Sequence, residues 1–237
     1  MQPIRDHYDR AYQDPNYFNY GRWMFSPYVQ ALISKYHIPR GSSVLDVGCG
    51  TGFFSQLFSD VDMNVVGIDL SATGVRTAHK LHTGRIAFVI GDGIQPPFAR
   101  GLFDVIYCRG FSPYGRAGLA TNLATTRSIV RCLREKGLLL FAISTDLSGM
   151  TGGRKRLTGK ARSAWINHTL EEIRQHFSNV GSTRLLDLFF INRLEVAFFG
   201  QRGLDTRLNH FNAFLSTATG IRGEAICVVE KRAPDEG

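Results

Sequence analysis

The sequence has no apolar run approaching the roughly 20 residues that a bilayer-spanning helix needs, which predicts a chain without a transmembrane helix. Its start, MQPIRDHYDRAYQDPNYF, mixes charges and prolines and has no apolar signal core, so the expected compartment is the cytoplasm. Cysteine is scarce. Cys49, Cys108, Cys132 and Cys227 stand far apart with no CxxC pair, which argues against a zinc site or a disulfide framework and fits a reducing compartment. His79 and His82 lie one helical turn apart without an acidic or thiol partner in sequence, so no metal is expected. No catalytic triad, internal repeat or low-complexity linker stands out. What the chain does have is an excess of positive charge, +8 from 28 basic and 20 acidic residues. That balance admits anionic small molecules or nucleic acid as partners without requiring either.

With 237 residues the chain can form one α/β domain and bury a full core. The first 25 residues are rich in aromatics, and Ser26-Pro27 reads as a helix start, with Val29, Leu32, Ile33 and Tyr36 on one face. Residues 1–41 are thus expected to form an N-terminal helical cap. From Ser43 the pattern alternates strand and helix. SVLDVG, NVVGIDL, IAFVIGD, FDVIYC and LLLFAIS read as strands, while FFSQLFS and ATGVRTAHKLH read as helices. A long helix is expected over Leu119–Glu135, closed by Lys136-Gly137. TLEEIRQHFSNVG carries a Thr N-cap, acids in its first turn and Gly beyond its end, so it reads as a helix. TRLLDLFFI and AICVVEKR are two late strands. Such alternation predicts a parallel sheet with helices on both faces.

The stretch VLDVGCGTGFF places Gly48, Gly50 and Gly52 directly after a strand and before a helix. Without Cβ atoms, glycines let a ligand approach the main chain, and ligand crevices in such sheets lie at the carboxyl ends of strands. The spacing is not GxGxxG, because Phe53 occupies the sixth position from Gly48; this disfavours a dinucleotide. Asp69 ends the next strand, where a carboxylate can accept hydrogen bonds from ribose hydroxyls. Asp92 ends the strand after that, and the Gly93-Ile94 pair beside it is small and apolar enough to flank a base. Asp69 read alone could equally be a helix N-cap. Cys49 reads as a small buried residue rather than a nucleophile.

Taken in order, DVGCGTG, GIDLS, GDG, FDVIYC and LREKGLLLF resemble the motifs of class I S-adenosylmethionine-dependent methyltransferases, over about Ser42–Ser144. The resemblance implies a Rossmann-like α/β fold, a seven-stranded mixed sheet whose last strand is antiparallel, over 42–237, with insertions near 146–166 and 193–222. It implies S-adenosylmethionine as cofactor. Asp46, Gly48, Cys49, Gly50 and Gly52 would hold its methionine end, Asp69 and Leu70 the ribose, and Asp92, Gly93 and Ile94 the adenine. Cys108 and Arg109 would lie near the transferred methyl group.

The acceptor side is less defined. Tyr12, Tyr17, Tyr20 or Trp23 could line it as part of a lid, and Arg22 could pair with the cofactor's carboxylate. Arg109, Tyr114 and Tyr20 are the catalytic candidates. The place after the fourth strand holds RGFS where nucleic-acid amino-methyltransferases carry an NPPY-like box. The expected reaction is therefore in-line methyl transfer to N, O or C of a small molecule. Two alternatives stay open. One is an RNA or protein methyltransferase using the basic stretch GGRKRLTGKAR, residues 152–162. The other is a non-catalytic cofactor-binding protein.

Overall fold

Val44, Leu45 and Val47 are fully buried, so the strand they belong to must be covered on both faces, as expected of a central parallel strand. A computed structural model describes residues 2–14, 17, 20–145, 166–192 and 223–233, with the side chains of 191 and 192 excepted. That strand, β1 (Ser43–Val47), lies at the middle of a seven-stranded sheet. The other strands are β2 (Asn64–Asp69), β3 (Ile86–Ile90), β4 (Phe103–Arg109), β5 (Leu133–Thr145), β6 (Thr183–Asn192) and β7 (Gly223–Lys231), in the order β3-β2-β1-β4-β5-β7-β6. The first five strands pair in parallel, while β7 runs antiparallel to both β5 and β6. After β1 the chain moves one way across the sheet, and after β3 it crosses back to the other side of β1. The tips of β1, β2 and β4 therefore flank a topological switch point, where such sheets bind ligands.

The helices are α1 (Gln2–Ala11), α2 (Arg22–Lys35), α3 (Phe53–Ser59), α4 (Ala72–Leu81), α5 (Ser112–Ala117), α6 (Leu123–Arg131) and α7 (Leu170–Val180). Val29, Leu32, Phe54, Leu57 and Phe58 of α2 and α3 pack on one face of the sheet, against Val44, Val65, Val105 and Tyr107. Ile129, Val130, Ile173 and Phe177 of α6 and α7 pack on the other, against Leu45, Ile106 and Phe141. Thr169 caps α7 with a capping box: its hydroxyl accepts from Glu172 N while its own N–H donates to the Glu172 carboxylate.

Two boundaries differ from expectation. The cap helix α2 starts at Arg22, not at Ser26-Pro27, and Pro27 sits inside it. There it removes one bond to the first turn rather than from the middle of a long ladder. The long helix expected over Leu119–Glu135 is instead a short α5, a 3₁₀ turn at Ala120–Asn122 and α6 ending at Arg131. Strand β5 already begins at Leu133, which pairs with Phe103, and Lys136 takes a left-handed φ of 61° where the register shifts. No helix among the described residues is long and apolar enough to cross a membrane.

Candidate cofactor site

Strand β1 ends at Val47, and the chain turns through Gly48–Gly52 into α3. The turn is pinned from the neighbouring strand: Gly48 N and Cys49 N both donate to Ile68 O, at 2.8 and 3.1 Å. Asp69, at the tip of β2, fastens it further. Its Oδ2 accepts from Gly50 N at 2.9 Å and its Oδ1 from Ser71 N at 2.8 Å. Gly48 and Gly50 have φ of +75° and +55°, a region that favours glycine. A Cβ on Gly48 would lie 3.0 Å from Phe111 Cδ2, and one on Gly50 would lie 2.8 Å from Tyr12 Oη. A Cβ on Gly93 would meet the same Phe111 ring at 2.9 Å. The rings of Phe111 and Tyr12 therefore rest on bare backbone at the switch point, where the ligand crevice of such a sheet is expected.

Three carboxylates surround it. Asp46 is buried on β1, and its Oδ2 accepts from Ser55 Oγ at 2.6 Å. Burial pushes its pKa up to about 7, with the negative charge of Asp69 adding and the Ser55 bond opposing. Burial also raises the pKa of Asp69, against the bonds from Ser71 and Gly50. Asp92 is half-buried beyond β3, where its Oδ1 accepts from Ile94 N at 2.9 Å and tightens the turn that holds Gly93. Leu70 is half-buried between Asp69 and Ser71. These residues, expected together from the sequence, lie along the tips of β1, β2 and β3. Asp69 is not a helix cap: Ser71 caps α4, accepting from Gly74 N at 3.0 Å.

Other expected site residues are placed differently. Arg22 pairs with Asp60 at the end of α3, so its guanidinium is engaged away from a cofactor carboxylate. The hydroxyl of Tyr114 meets Thr126 Oγ1 at 2.8 Å, which meets His176 Nε2 at 2.7 Å; Tyr114 is buried among α5, α6 and α7 and does not line an acceptor space. Cys108 is buried in the sheet core, with its thiol pKa raised by burial. The Cys49 side chain packs with Val75, Ala78 and Phe88. Arg109 holds Glu224 in a two-pronged pair rather than facing an open pocket. His79 and His82 bond to the carbonyls of Phe88 and Thr51, at 3.2 and 2.8 Å.

The N-terminal tyrosines pack near the glycine turn and the start of α3. Tyr12 is buried over Gly50 and Gly74, Tyr17 meets it edge-on at 6.1 Å, and Tyr20 packs on Phe25, Phe53 and Phe54. Trp23 is 66% exposed. Sequence reading missed Asp9, whose Oδ1 accepts from Ser71 Oγ at 2.5 Å and from Thr73 N at 3.0 Å, tying α1 to the start of α4. No local pattern announces a contact between positions so far apart. The stretches 152–162 and 193–222 lie outside the described residues.

A glycine turn at the switch point of a 3-2-1-4-5-7-6 sheet with β7 reversed defines a Rossmann-like methyltransferase fold. Residues 45–141 match the family described as methyltransferase domain. A malonyl-[acyl-carrier protein] O-methyltransferase of Pectobacterium atrosepticum is 30% identical over 141 residues, 56% of this chain and 52% of that protein. A chain of the complex between the Haloferax volcanii Trm112 methyltransferase activator and a methyltransferase superposes with TM-score 0.70 at 17% identity, covering 95% of this chain and 98% of that one. The magnesium protoporphyrin IX methyltransferase of Synechocystis, solved with bound SAM, superposes with TM-score 0.62 at 13% identity, covering 98% and 96%. The chain has the fold of the class I S-adenosylmethionine-dependent methyltransferases, and the family match lies within its first five strands. It spans between a third and about half of the length of the first curated relatives it matches.

Proposed function

We propose that the protein transfers the methyl group of S-adenosylmethionine, in line, to N, O or C of a small-molecule acceptor. The observation that carries this is the single row of groups along the tips of β1, β2 and β3: the glycine turn, then Asp46, Asp69 and Asp92. The residues fit the cofactor, because the glycines leave the main chain bare beside these carboxylates, with only the Phe111 and Tyr12 rings packed on it. The glycine turn and Asp46 would hold the methionine end. Asp69 would take the ribose: each carboxylate oxygen accepts more than one donor, so its bonds to Gly50 and Ser71 leave capacity for hydroxyls. Asp92, Gly93 and Ile94 would frame the adenine, with the Phe111 ring against them.

The cofactor, when bound, supplies an activated methyl group on a neutral leaving group. The chain must then align the acceptor and exclude water. Alignment alone can lower a barrier by roughly 7–11 kcal/mol in well-oriented cases. Tyr12, Tyr17 and Tyr20 supply the water-excluding cover on the open side. The small-molecule assignment is supported by relatives named for such acceptors, among them a 2-methyl-6-phytyl-1,4-hydroquinone methyltransferase. The test is transfer of a tritiated methyl group from labelled S-adenosylmethionine into fractionated extract. Label is expected in the metabolite fraction; label confined to RNA or protein would overturn the acceptor class. Absence of S-adenosylhomocysteine binding in calorimetry would overturn the cofactor as well.

A further inference from the structure

Arg109 ends β4, and its guanidinium is gripped from every side. Nε donates to Glu224 Oε2 at 3.0 Å and Nη2 to Oε1 at 2.9 Å. The rings of Tyr20, Phe25 and Phe54 each have their centroid 4.9 Å from its central carbon. Its side chain is 11% exposed. The arginines paired with Asp60, Asp62, Asp104, Glu171 and Glu230 all keep at least 55% exposure. Those surface pairs contribute little. A buried, forked and stacked arginine is different, because losing a partner strands a charge away from water.

Its partners come from segments far apart in the chain that meet beside the crevice. Phe54 is the second residue of α3, just past Gly52, and Glu224 is the second residue of β7. Tyr20 precedes α2 and Phe25 lies in its first turns. We infer that Arg109 is a positioning residue: by clamping Tyr20 onto the first turn of α3, it holds the glycine turn in its binding shape and the cover closed. The inference rests on the cofactor reading above, and it assigns Arg109 no contact with the reacting atoms.

Arg109→Lys keeps the charge but loses both the fork and the stacking. S-adenosylhomocysteine should bind it at least tenfold more weakly than wild type in calorimetry. Amide exchange should accelerate over residues 20–28 and stay unchanged in β2 and β3. Tyr20→Leu, which leaves the ion pair intact, should show the same loss, and Tyr20→Phe, which restores the ring, should recover wild-type affinity. A merely structural role would lower the melting temperature and leave the affinity of the folded protein alone. Wild-type affinity in folded Arg109→Lys overturns the inference, as it does in Tyr20→Leu should the lysine variant fail to fold. If wild type itself does not bind the ligand, the cofactor reading falls instead.

Discussion

Asp69 fastens the glycine turn through Gly50, and in the proposed function the same carboxylate takes the ribose. Asp69→Ala removes an acceptor from two buried amides, so cofactor affinity should drop by roughly 1–3 kcal/mol, the cost of leaving such groups unpaired. An unchanged dissociation constant in a folded variant would refute the placement. Asp46 makes a second, pH-dependent prediction. Its folded pKa of about 7 lies above the model-compound 3.8, because burial disfavours the charge. Between those values the folded state holds a proton that the unfolded state has lost, so stability falls as pH rises from about 4 to about 7. Asp46→Asn keeps an acceptor for Ser55 and cannot ionise. Urea midpoints at pH 5 and pH 7.5 should therefore differ less in the variant than in wild type; an equal difference in both would show that Asp46 is not the source. At this scale the placement of Asp46, Asp69 and Asp92 at or near the ends of apolar strands was legible in sequence. Tyr114 was not. A tyrosine in a loop after β4 looks the same in sequence whether its hydroxyl meets an acceptor or Thr126.

Helix α1 has no buried residue of its own, so its docking relies on the contacts that it and the turn after it make with α4 and the glycine turn. Asp9 is the main polar one, adding a second cap to α4 beyond Ser71. Loss of an N-cap acid costs about 0.5–2 kcal/mol. Asp9→Ala should therefore raise amide exchange across α1 several-fold while Val75 and Ala78, in the buried face of α4, keep their protection. Equal exchange in α1 would mean that Tyr12 alone holds it. Element boundaries show where sequence reading stops. LREKG ends in basic residues and glycine, the signature of a helix terminus. Yet Arg134, Glu135 and Lys136 are exposed at the start of β5, and Leu133 is drawn into the sheet by pairing with Phe103. Only that long-range pairing distinguishes the two outcomes, and it leaves no local trace. Pro27 misleads for the converse reason: proline marks helix starts statistically, but α2 extends back to Arg22, with Phe25 buried in the core.

The sheet itself was the most legible feature, because five apolar strands alternating with helices leave few chain paths that bury both faces. Its continuity has a thermodynamic consequence. The crevice touches β1 to β4, while β5, β7 and β6 continue the same hydrogen-bonded sheet through fully buried residues such as Leu140, Val228 and Phe189. If the sheet opens as one cooperative unit, a ligand at one end must stabilise the other equally. S-adenosylhomocysteine at a hundred times its dissociation constant adds about 2.7 kcal/mol to global unfolding. Amides that exchange only by global opening report that full increment wherever they sit. The backbone amides of Cys227 and Val228 in β7 should thus slow by the same factor as those of Leu45 and Val47 in β1, although β7 lies three strands across the sheet from β1. Slowing confined to β1–β4 would instead divide the molecule at the β4–β5 boundary, and the antiparallel half would then be a separate unit that the cofactor does not hold.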